Sequence, residues 1–471
     1  MNSLKPLQWA GLALGLILLL YFFHSYLSYF GDMSFLGGIL LLEVIIASLW
    51  KYDQRFFILL IIAFLWAGMS VPLTGAWTGG RWLVLSVGAV VGYIAWEKKP
   101  RKPFGSMHLV AFFCICTAFV SATVSQFTQM ASFKALSLLL LFLYCSSGAR
   151  LAVIGREGRF FQGLLLGSEI AVYVTAACYL GLGESIWGNP NSLGAVMGIG
   201  LFPVLLWGWL IGEGPTLRFR RLIALILCTY LVHYSMARAA IVSVVFVTVI
   251  LCVCLRQYRL LVKVAALVLF LIAVGGMLAP QSLDQQLGDL KDALLYKGHK
   301  NEGVLGSRRT PWEKSIASIK EHPIFGTGYG TNPSGEDPGL NFGKFASSAE
   351  TARENGSSYT TITEWVGLLG VVPFVMLVGL TVSNIWKVCA WMRRTGDPRH
   401  YSIPLAMVVF AGLIHAGFED WLFAIGYYLC VYFWSFAFLL ADLVPESEMV
   451  PAQRFVLRPS PPGFGVVAPN R

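Results

Sequence analysis

The residues best suited to chemistry in this chain are arginines and carboxylates that stand at the edges of apolar segments. Arg238 lies between two apolar runs, and Arg308 and Arg309 stand in a polar stretch between residues 280 and 359. A guanidinium stays charged when it is partly dehydrated, and its planar fork matches the oxygens of a phosphate group. These arginines therefore indicate a site for an anion. For Arg238, an equal alternative is an interfacial side chain that reaches toward lipid headgroups.

The carboxylates near the same apolar edges are candidates for a general base. Glu354 is the best placed, because it follows Arg353 directly and stands just before an apolar run. Such a base needs hydrogen-bond reach to the reacting hydroxyl. A solvated loop carboxylate is the alternative interpretation of Glu354, and Glu419 and Asp420 are the competing carboxylates. His415 lies one helical turn before Glu419, and for it a core histidine is the favoured interpretation.

Composition indicates what must position these residues. Hydrophobic residues make up 56% of the 471 residues and charged residues only 13%, which is typical of a chain whose solvent is the bilayer. The sequence predicts an all-α polytopic membrane protein, with about 14 transmembrane helices and one large, partly helical periplasmic loop. The apolar windows begin at about Leu7, Met33, Phe56, Trp82, Met107, Ser132, Phe160, Ser192, Leu222, Ala239, Leu260, Tyr359, Ile403 and Leu422.

The positions of Lys and Arg predict the orientation. Basic clusters at 5, 51–55, 98–102, 150–159, 218–221, 256–259 and 393–399 all fall on one side of the membrane under this count. Short basic loops resist translocation, so that side is cytoplasmic and both termini lie there. The formal net charge of +10 is then explained by cytoplasmic loops beside anionic lipids, and no nucleic-acid partner is indicated.

This pattern divides the chain into four parts. We expect N-terminal transmembrane helices in 1–279, a periplasmic loop domain in 280–358, C-terminal transmembrane helices in 359–442 and a disordered cytoplasmic tail in 443–471. The first apolar run lacks a small-residue cleavage site and is followed at once by a second, which favours an uncleaved first helix over a signal peptide.

The polar stretch contains signals for two helices and a turn. Residues 282–298 combine a capping box with leucines at helical spacing, which predicts an amphipathic helix. A second helix is predicted to open at Thr310, with Pro311 in its first position, and to end before Pro323. The alternating glycines of 326–330 then predict a tight turn. The loop is therefore expected to be a folded cap.

The segment around Arg238 is predicted to be a short hairpin. The apolar stretch between Arg221 and Arg256 has 34 residues. These span about 50 Å as helix, whereas two crossings of a ~30 Å hydrocarbon core need about 60 Å. The turn must therefore lie near residues 235–238, in a partly dehydrated position, where the charge of Arg238 needs an anion.

Several kinds of site are not indicated. All nine cysteines lie in or beside apolar runs, so neither a disulfide framework nor a zinc site is predicted. The chain has no Walker A sequence and no Asp-x-Asp motif, so neither nucleotide hydrolysis nor metal-assisted use of a nucleotide sugar is indicated. We expect no cofactor and no metal.

Four separated segments, taken in chain order, resemble the O-antigen ligase and O-antigen polymerase family. The family consists of membrane glycosyltransferases that use a polyprenyl-diphosphate-linked glycan as donor. The third segment, an Arg-x-x-x-Trp and Pro-x-x-Gly-x-Gly signature, is the most specific. The four are Asn189-Pro190-Asn191; Ser235 to Ala239; Arg308 to Trp312 with Pro323, Gly326 and Gly328; and Glu364 with Gly367 and Gly370.

One segment departs from the family pattern. Where ligases of the family usually have His-Asn before the span with the Glu and Gly residues, this chain has Arg353-Glu354-Asn355. The resemblance therefore favours a polymerase of O-antigen-like or exopolysaccharide repeat units. A ligase that transfers the glycan to lipid A core, and a transporter or flippase for a lipid-linked oligosaccharide, are the alternatives.

The resemblance also implies roles for residues. Arg238 and Arg308 match the family's arginines and are expected to stabilise the departing diphosphate. Glu354 is expected to act as base because of its own position beside Arg353, and Arg309, Arg353, Tyr359 and Glu419 are the candidates for further substrate contacts. The expected partners are the polyprenyl-diphosphate-linked glycan and membrane lipids, with flippase and chain-length regulator proteins beyond them. The implied location is the bacterial inner membrane, with the active face in the periplasm.

Overall fold

The computed structural model describes residues 53–70, 74–97, 103–259, 261–263, 266, 306–331 and 356–445. Within these ranges the elements are helices joined by turns, and no strand is present among them. The helices are α1 (Asp53–Ala67), α2 (Thr74–Glu97), α3 (Ser106–Val124), α4 (Thr128–Ser146), α5 (Gly148–Val153), α6 (Glu157–Ala176), α7 (Pro190–Ala195), α8 (Phe202–Leu210), α9 (Pro215–Tyr234), α10 (Arg238–Cys254), α11 (Gly306–Glu321), α12 (Ser358–Thr395), α13 (Ser402–Ala416) and α14 (Tyr428–Leu443).

Two of these helices are extended by π-helical turns. Ala177–Leu182 continues α6, and Val196–Leu201 joins α7 to α8. Among the residues that the structure describes, six helical segments are long and apolar enough to cross a membrane: Gly79–Glu97, Ser106–Val124, Thr128–Val153, Glu157–Leu182, Pro190–Leu210 and Ser358–Thr395. The prediction of an all-helical membrane protein is confirmed for the described residues. The count of about 14 spans and the outward loop stay predictions, because 1–52 and 267–305 lie outside the described residues, as does the predicted helix in 282–298.

The most enclosed part of the bundle is α14. Every side chain from Tyr428 to Leu440 is buried. The helix is apolar on all faces, as expected for a helix in the centre of a bundle. It packs against α13 and α4. Trp434 donates to the carbonyl oxygen of Leu422 over 2.7 Å, which ties α14 to the link that precedes it.

The helix links collect at two ends of the bundle. At one end, the indole of Trp207 in α8 donates to the carbonyl oxygen of Pro398 over 2.7 Å, and the pair of Glu213 and Arg399 joins the links 211–214 and 396–401. The links that contain Arg156 and Arg256 belong to this end, as does the start of α9 with Arg218. We call it the basic end. The opposite end, which we call the site end, holds the links 125–127, 183–189, 235–237 and 417–427. The described basic clusters thus share one end, as predicted.

One predicted loop charge is instead a buried structural charge. Arg150 was grouped with the solvated cluster 150–159, but its side chain is fully buried in α5. It pairs with Asp442 through two hydrogen bonds of 2.5 and 2.8 Å, and its guanidinium carbon lies 4.2 Å from the ring centroid of Trp96. The bidentate pair satisfies a charge that could not otherwise be buried.

The predicted start of the helix after 306 was wrong. The helix begins at Gly306, so Pro311 lies inside it rather than at its first position, and Thr310 does not cap it. Arg309 pairs with Glu313 over 2.9 Å, an i,i+4 contact that stabilises the helix on both sides of the proline. The backbone of Arg308 therefore lies in the first turn of α11 rather than before the helix.

Candidate functional site

The turn that carries Arg238 lies where the sequence predicted it. Helix α9 ends at Tyr234 and α10 begins at Arg238, with Met236 in a left-handed conformation (φ 52°). The hydroxyl of Ser235 donates to the carbonyl oxygen of Val232 over 2.6 Å and accepts from the amide of Ala237 over 3.2 Å. These bonds fix the tight turn between α9 and α10, and Arg238 is half-buried at the first position of α10.

The Asn-Pro segment packs directly on this turn. Asn189 caps α7 by accepting from the amide of Ser192 over 2.7 Å, as Asn commonly does. One turn later, Gly194 leaves no space for a side chain: an added Cβ would lie 2.4 Å from the Cβ of Ala237 and 2.6 Å from the Oγ of Ser235. The first two family-like segments, far apart in sequence, are therefore neighbours.

The third and fourth segments also meet, at a break in α12. Gly367 has φ 71° and ψ 178°, so the helix loses the bonds from 368 to 364 and from 369 to 365. Residues 323–328, which contain the start of the predicted turn of 326–330 (the glycine turn), supply the missing hydrogen-bond donors and acceptors. Thr327 and Gly328 donate to the carbonyl oxygens of 364 and 365 over 3.0 and 3.1 Å, and the amides of 368 and 369 donate to Pro323 and Ile324 over 2.8 and 3.3 Å. All four orphaned backbone groups are thereby satisfied.

The close approach of the two backbones explains the glycines. An added Cβ at Gly326 (φ 75°) would lie 2.4 Å from the carbonyl oxygen of Trp365, and one at Gly367 would lie 2.2 Å from that of Ile324. Both positions also need a left-handed backbone, which glycine adopts without strain. The Pro-x-x-Gly-x-Gly signature and the Gly of α12 therefore form one structural unit, which we call the glycine junction.

Helix α3 closes the junction from the other side. Ser121 donates to the carbonyl oxygen of Trp365 over 2.5 Å, and Ser125 lies 3.0 Å from the hydroxyl of Thr331. Tyr329 is buried and donates to the carbonyl oxygen of Phe423 over 2.9 Å. Burial raises the pKa of this hydroxyl, so it remains a neutral donor. The turn is thus tied to α3, α12 and the link between α13 and α14.

A buried carboxylate stands inside this junction. Glu364 is 2% exposed, and its carbonyl oxygen is one of the two that receive the glycine turn. The sequence indicated Glu364 only as part of a family-like segment. The structure adds that its side chain is enclosed at the break of α12, within the apolar part of the bundle, where an acidic side chain is rare.

Two cations at the site end were not predicted as site residues. Lys134 of α4 donates from its Nζ to the carbonyl oxygen of Gly330, and no carboxylate of the described residues pairs with it. Arg81 of α2 donates to the carbonyl oxygen of Gly426 over 2.7 Å, with its guanidinium 5.3 Å from the ring of Trp82. Each is a basic residue within a largely apolar stretch, a signal that the sequence does contain.

The predicted substrate residues are placed as follows. Tyr359 donates to the carbonyl oxygen of Leu413 over 2.8 Å, so its hydroxyl is engaged with α13. Glu419 is half-buried, and its carbonyl oxygen accepts from the hydroxyl of Ser358 over 2.6 Å. The side chain of Arg309 is 73% exposed in its pair with Glu313. Arg353 and Glu354 lie outside the described residues, and their roles stay predictions, as does the proximity of Arg238 to Arg308.

His415 confirms the interpretation as a core histidine. It is buried, and its Nδ1 accepts from the indole of Trp421 over 2.8 Å. Among the residues that the structure describes, no group of three or more His, Cys, Asp or Glu side chains is arranged to hold a metal ion.

Residues 223–363 match the family model described as O-antigen ligase. Over this segment, less than half of the chain, the protein is similar to the O-antigen ligase family. The matched range contains the Arg238 turn, α11 and the glycine turn, and it ends one residue before Glu364. Lys134, Arg81 and Glu419 of the site end lie outside it. A comparison with curated proteins found no match.

Proposed function

We propose that this protein is a membrane glycosyltransferase that polymerises polyprenyl-diphosphate-linked glycan repeat units. The observation that carries this proposal is the arrangement at the site end. There the family domain places Arg238 in a tight turn beside the Asn-Pro segment, at the end of the bundle opposite the basic links. By the distribution of positive charge, the site end faces the periplasm of the bacterial inner membrane.

The reaction follows from the groups that the site supplies. A hydroxyl oxygen of the acceptor sugar attacks the anomeric carbon of the donor, and the bond from that carbon to the diphosphate oxygen breaks. The hydroxyl proton passes to a carboxylate, for which Glu354 is the proposed base. The electron pair of the broken bond leaves with the lipid diphosphate, whose added charge Arg238 and Arg308 stabilise. The activated donor supplies the energy.

Residue chemistry supports arginines in this role. A guanidinium can bind two phosphate oxygens at once and keeps its charge in a partly dehydrated turn. Lys134 and Arg81 add positive charge at the same end, and each donates to a link or turn of the site. We therefore propose that they position the glycine turn and the link before α14 around the substrate.

Transfer of the glycan to lipid A core is the second candidate function. The description of the matched family, O-antigen ligase, favours it. The Arg353-Glu354 sequence at the position of the usual His-Asn favours polymerisation instead. The two reactions share the donor and differ only in the acceptor.

Glycan analysis of a deletion strain distinguishes these functions. A polymerase mutant retains single repeat units on the lipid carrier, whereas a ligase mutant accumulates long chains on it. Complementation with the wild-type gene should restore polymer, and Arg238→Ala should not. Arg259→Ala, at the basic end, is the matched control and should restore it. A deletion strain with normal polymer would contradict both functions. Loss of polymer with the carrier-linked units held on the cytoplasmic side would instead support the transporter alternative.

The orientation has its own test. In a background without the nine native cysteines, Glu184→Cys at the site end and Asp397→Cys at the basic end are both exposed. A membrane-impermeant maleimide added to spheroplasts should label only the cysteine at 184. Labelling of only the cysteine at 397 would reverse the orientation and overturn the proposed mechanism.

A further inference from the structure

A cavity of about 520 Å³ opens at the basic end, where α8 stops and α9 starts. Its lining combines one cationic side chain with two large aromatic rings and part of the link before α9. The lining residues are Trp209, Gly214, Pro215, Arg218, Phe219 and Leu222. Phe219 is 65% exposed, and nothing in the family-like motifs accounts for this group.

The charges around the cavity do not balance. Three arginines, Arg218, Arg220 and Arg221, stand in the first two turns of α9. The buried carboxylate of Glu169 on α6 pairs with Arg220 over 2.8 Å and with Arg221 over 3.6 Å. One carboxylate thus serves two guanidiniums.

The third arginine keeps its charge available. No carboxylate of the described residues pairs with Arg218. Glu213 is the nearest acidic residue in sequence, but it pairs with Arg399 on the other side of the link, over 3.2 Å. The wall of the cavity is therefore positive, and an occupant with negative charge is favoured over a neutral or zwitterionic one.

The position of the cavity specifies the kind of anion. It lies where apolar helices end in basic links, which in a membrane protein is the level of the lipid headgroups on the cytoplasmic side. Arginines at this level bind lipid phosphates, and exposed aromatic rings pack on the glycerol and upper acyl region. Arg218 and the two rings supply both kinds of contact within one cavity.

We propose that this cavity binds the headgroup of an anionic phospholipid of the phosphatidylglycerol type. Arg218 binds the phosphate, while Trp209 and Phe219 pack against the glycerol backbone and the first part of an acyl chain. The ion cluster of Glu169, Arg220 and Arg221 holds α6 against α9 and so keeps the wall of the cavity in place.

Native mass spectrometry of the full-length protein provides the test. The protein is delipidated in mild detergent and then titrated with phosphatidylglycerol or with phosphatidylcholine of the same acyl chains. We expect one phosphatidylglycerol to be retained preferentially, and Arg218→Gln to weaken its binding about fivefold, the effect of one arginine at a charged lipid surface. Phe219→Ala should weaken both lipids to a smaller and equal extent.

Arg394→Gln is the matched control, because Arg394 is an exposed arginine of the last turn of α12 at the same end. It should leave binding unchanged. Equal thermal stability of the lipid-free variants shows that each is folded. The proposal is overturned if phosphatidylcholine binds as well as phosphatidylglycerol, or if the two arginine variants weaken binding equally. Preferential retention of a polyprenyl phosphate in place of the phospholipid would overturn it as well.

Discussion

The two ends of the bundle use positive charge in opposite ways. At the basic end four arginines pair with carboxylates: Arg150 with Asp442, Arg220 and Arg221 with Glu169, and Arg399 with Glu213. At the site end, Lys134 donates to the backbone carbonyl oxygen of Gly330. A carbonyl oxygen satisfies a hydrogen bond but does not neutralise the cation.

This difference separates structural charge from charge that can act on a substrate. A carboxylate partner cancels the field of an arginine and fixes its position, which suits a role in holding helices together. A cation held by a carbonyl oxygen is positioned and still able to attract an anion. The comparison predicts that substitutions at the basic end change stability, whereas substitutions at the site end change activity.

Removal of Asp442 should have the largest effect. Asp442→Ala leaves the fully buried Arg150 without its bidentate partner, and breaking such a pair costs about 3–5 kcal/mol of stability. Glu213→Ala removes a carboxylate that is 79% exposed in its pair with Arg399 and should change stability by less than about 1 kcal/mol. Thermal unfolding in detergent measures both, and equal shifts would break the distinction between the two pairs.

At the site end, Arg308→Lys should be the most harmful conservative change. The ammonium keeps the charge but cannot make two parallel bonds to phosphate oxygens, and loss of such a transition-state contact costs about 3 kcal/mol, or roughly a hundredfold in rate. Arg309→Lys should be mild, because Arg309 faces outward in its pair with Glu313. Polymer length on gels, at equal membrane levels, compares them. Near-normal polymer from both would leave Arg308 with a structural role.

The glycine junction should be the next most sensitive. Gly326→Ala combines a left-handed backbone with a Cβ 2.4 Å from the carbonyl oxygen of Trp365. Strain and overlap each cost about 1–3 kcal/mol. Gly379→Ala, in the same helix as the break, meets nothing within 4 Å and should be neutral or slightly stabilising. Protease sensitivity and polymer yield measure whether the glycine turn separates from α12. If Gly326→Ala and Gly379→Ala behave alike, the glycine junction is not important for function.

The smallest effect is expected from Lys134→Met. The substitution removes one charge-assisted hydrogen bond to Gly330, but it also removes the cost of burying an ammonium, and methionine fills similar space. We therefore expect little change in thermal stability, whereas loss of a positioning contact worth about 1.4 kcal/mol in the reaction would lower polymer yield roughly tenfold. Lys387→Met, at an exposed position of α12, is the control. A lower melting temperature with normal polymer would assign Lys134 to structure, as at the basic end.

Much of the architecture follows from local properties of the sequence. Apolar length and basic links predict helices and their grouping at two ends, because the bilayer leaves few alternatives for an apolar chain. The turn before Arg238 follows from helix length alone, since 34 residues are too few for two full crossings. The start of α11 was missed, because the i,i+4 pair of Arg309 and Glu313 stabilises helix on both sides of a proline that usually stands at the first position.

What the sequence determined by itself is therefore composition, helix periodicity and the identity of short motifs, all of which act over a few residues. What only the tertiary structure decided is which of these motifs touch. The exchange of four backbone hydrogen bonds between residues 323–328 and the break at Gly367 has no signature in either segment alone. The same holds for Lys134 and Gly330, which are 196 positions apart. Such contacts depend on helix packing. Which residues meet is determined by the side-chain surfaces of the packed helices and by their position along the bundle, and spacing along the chain does not reveal it.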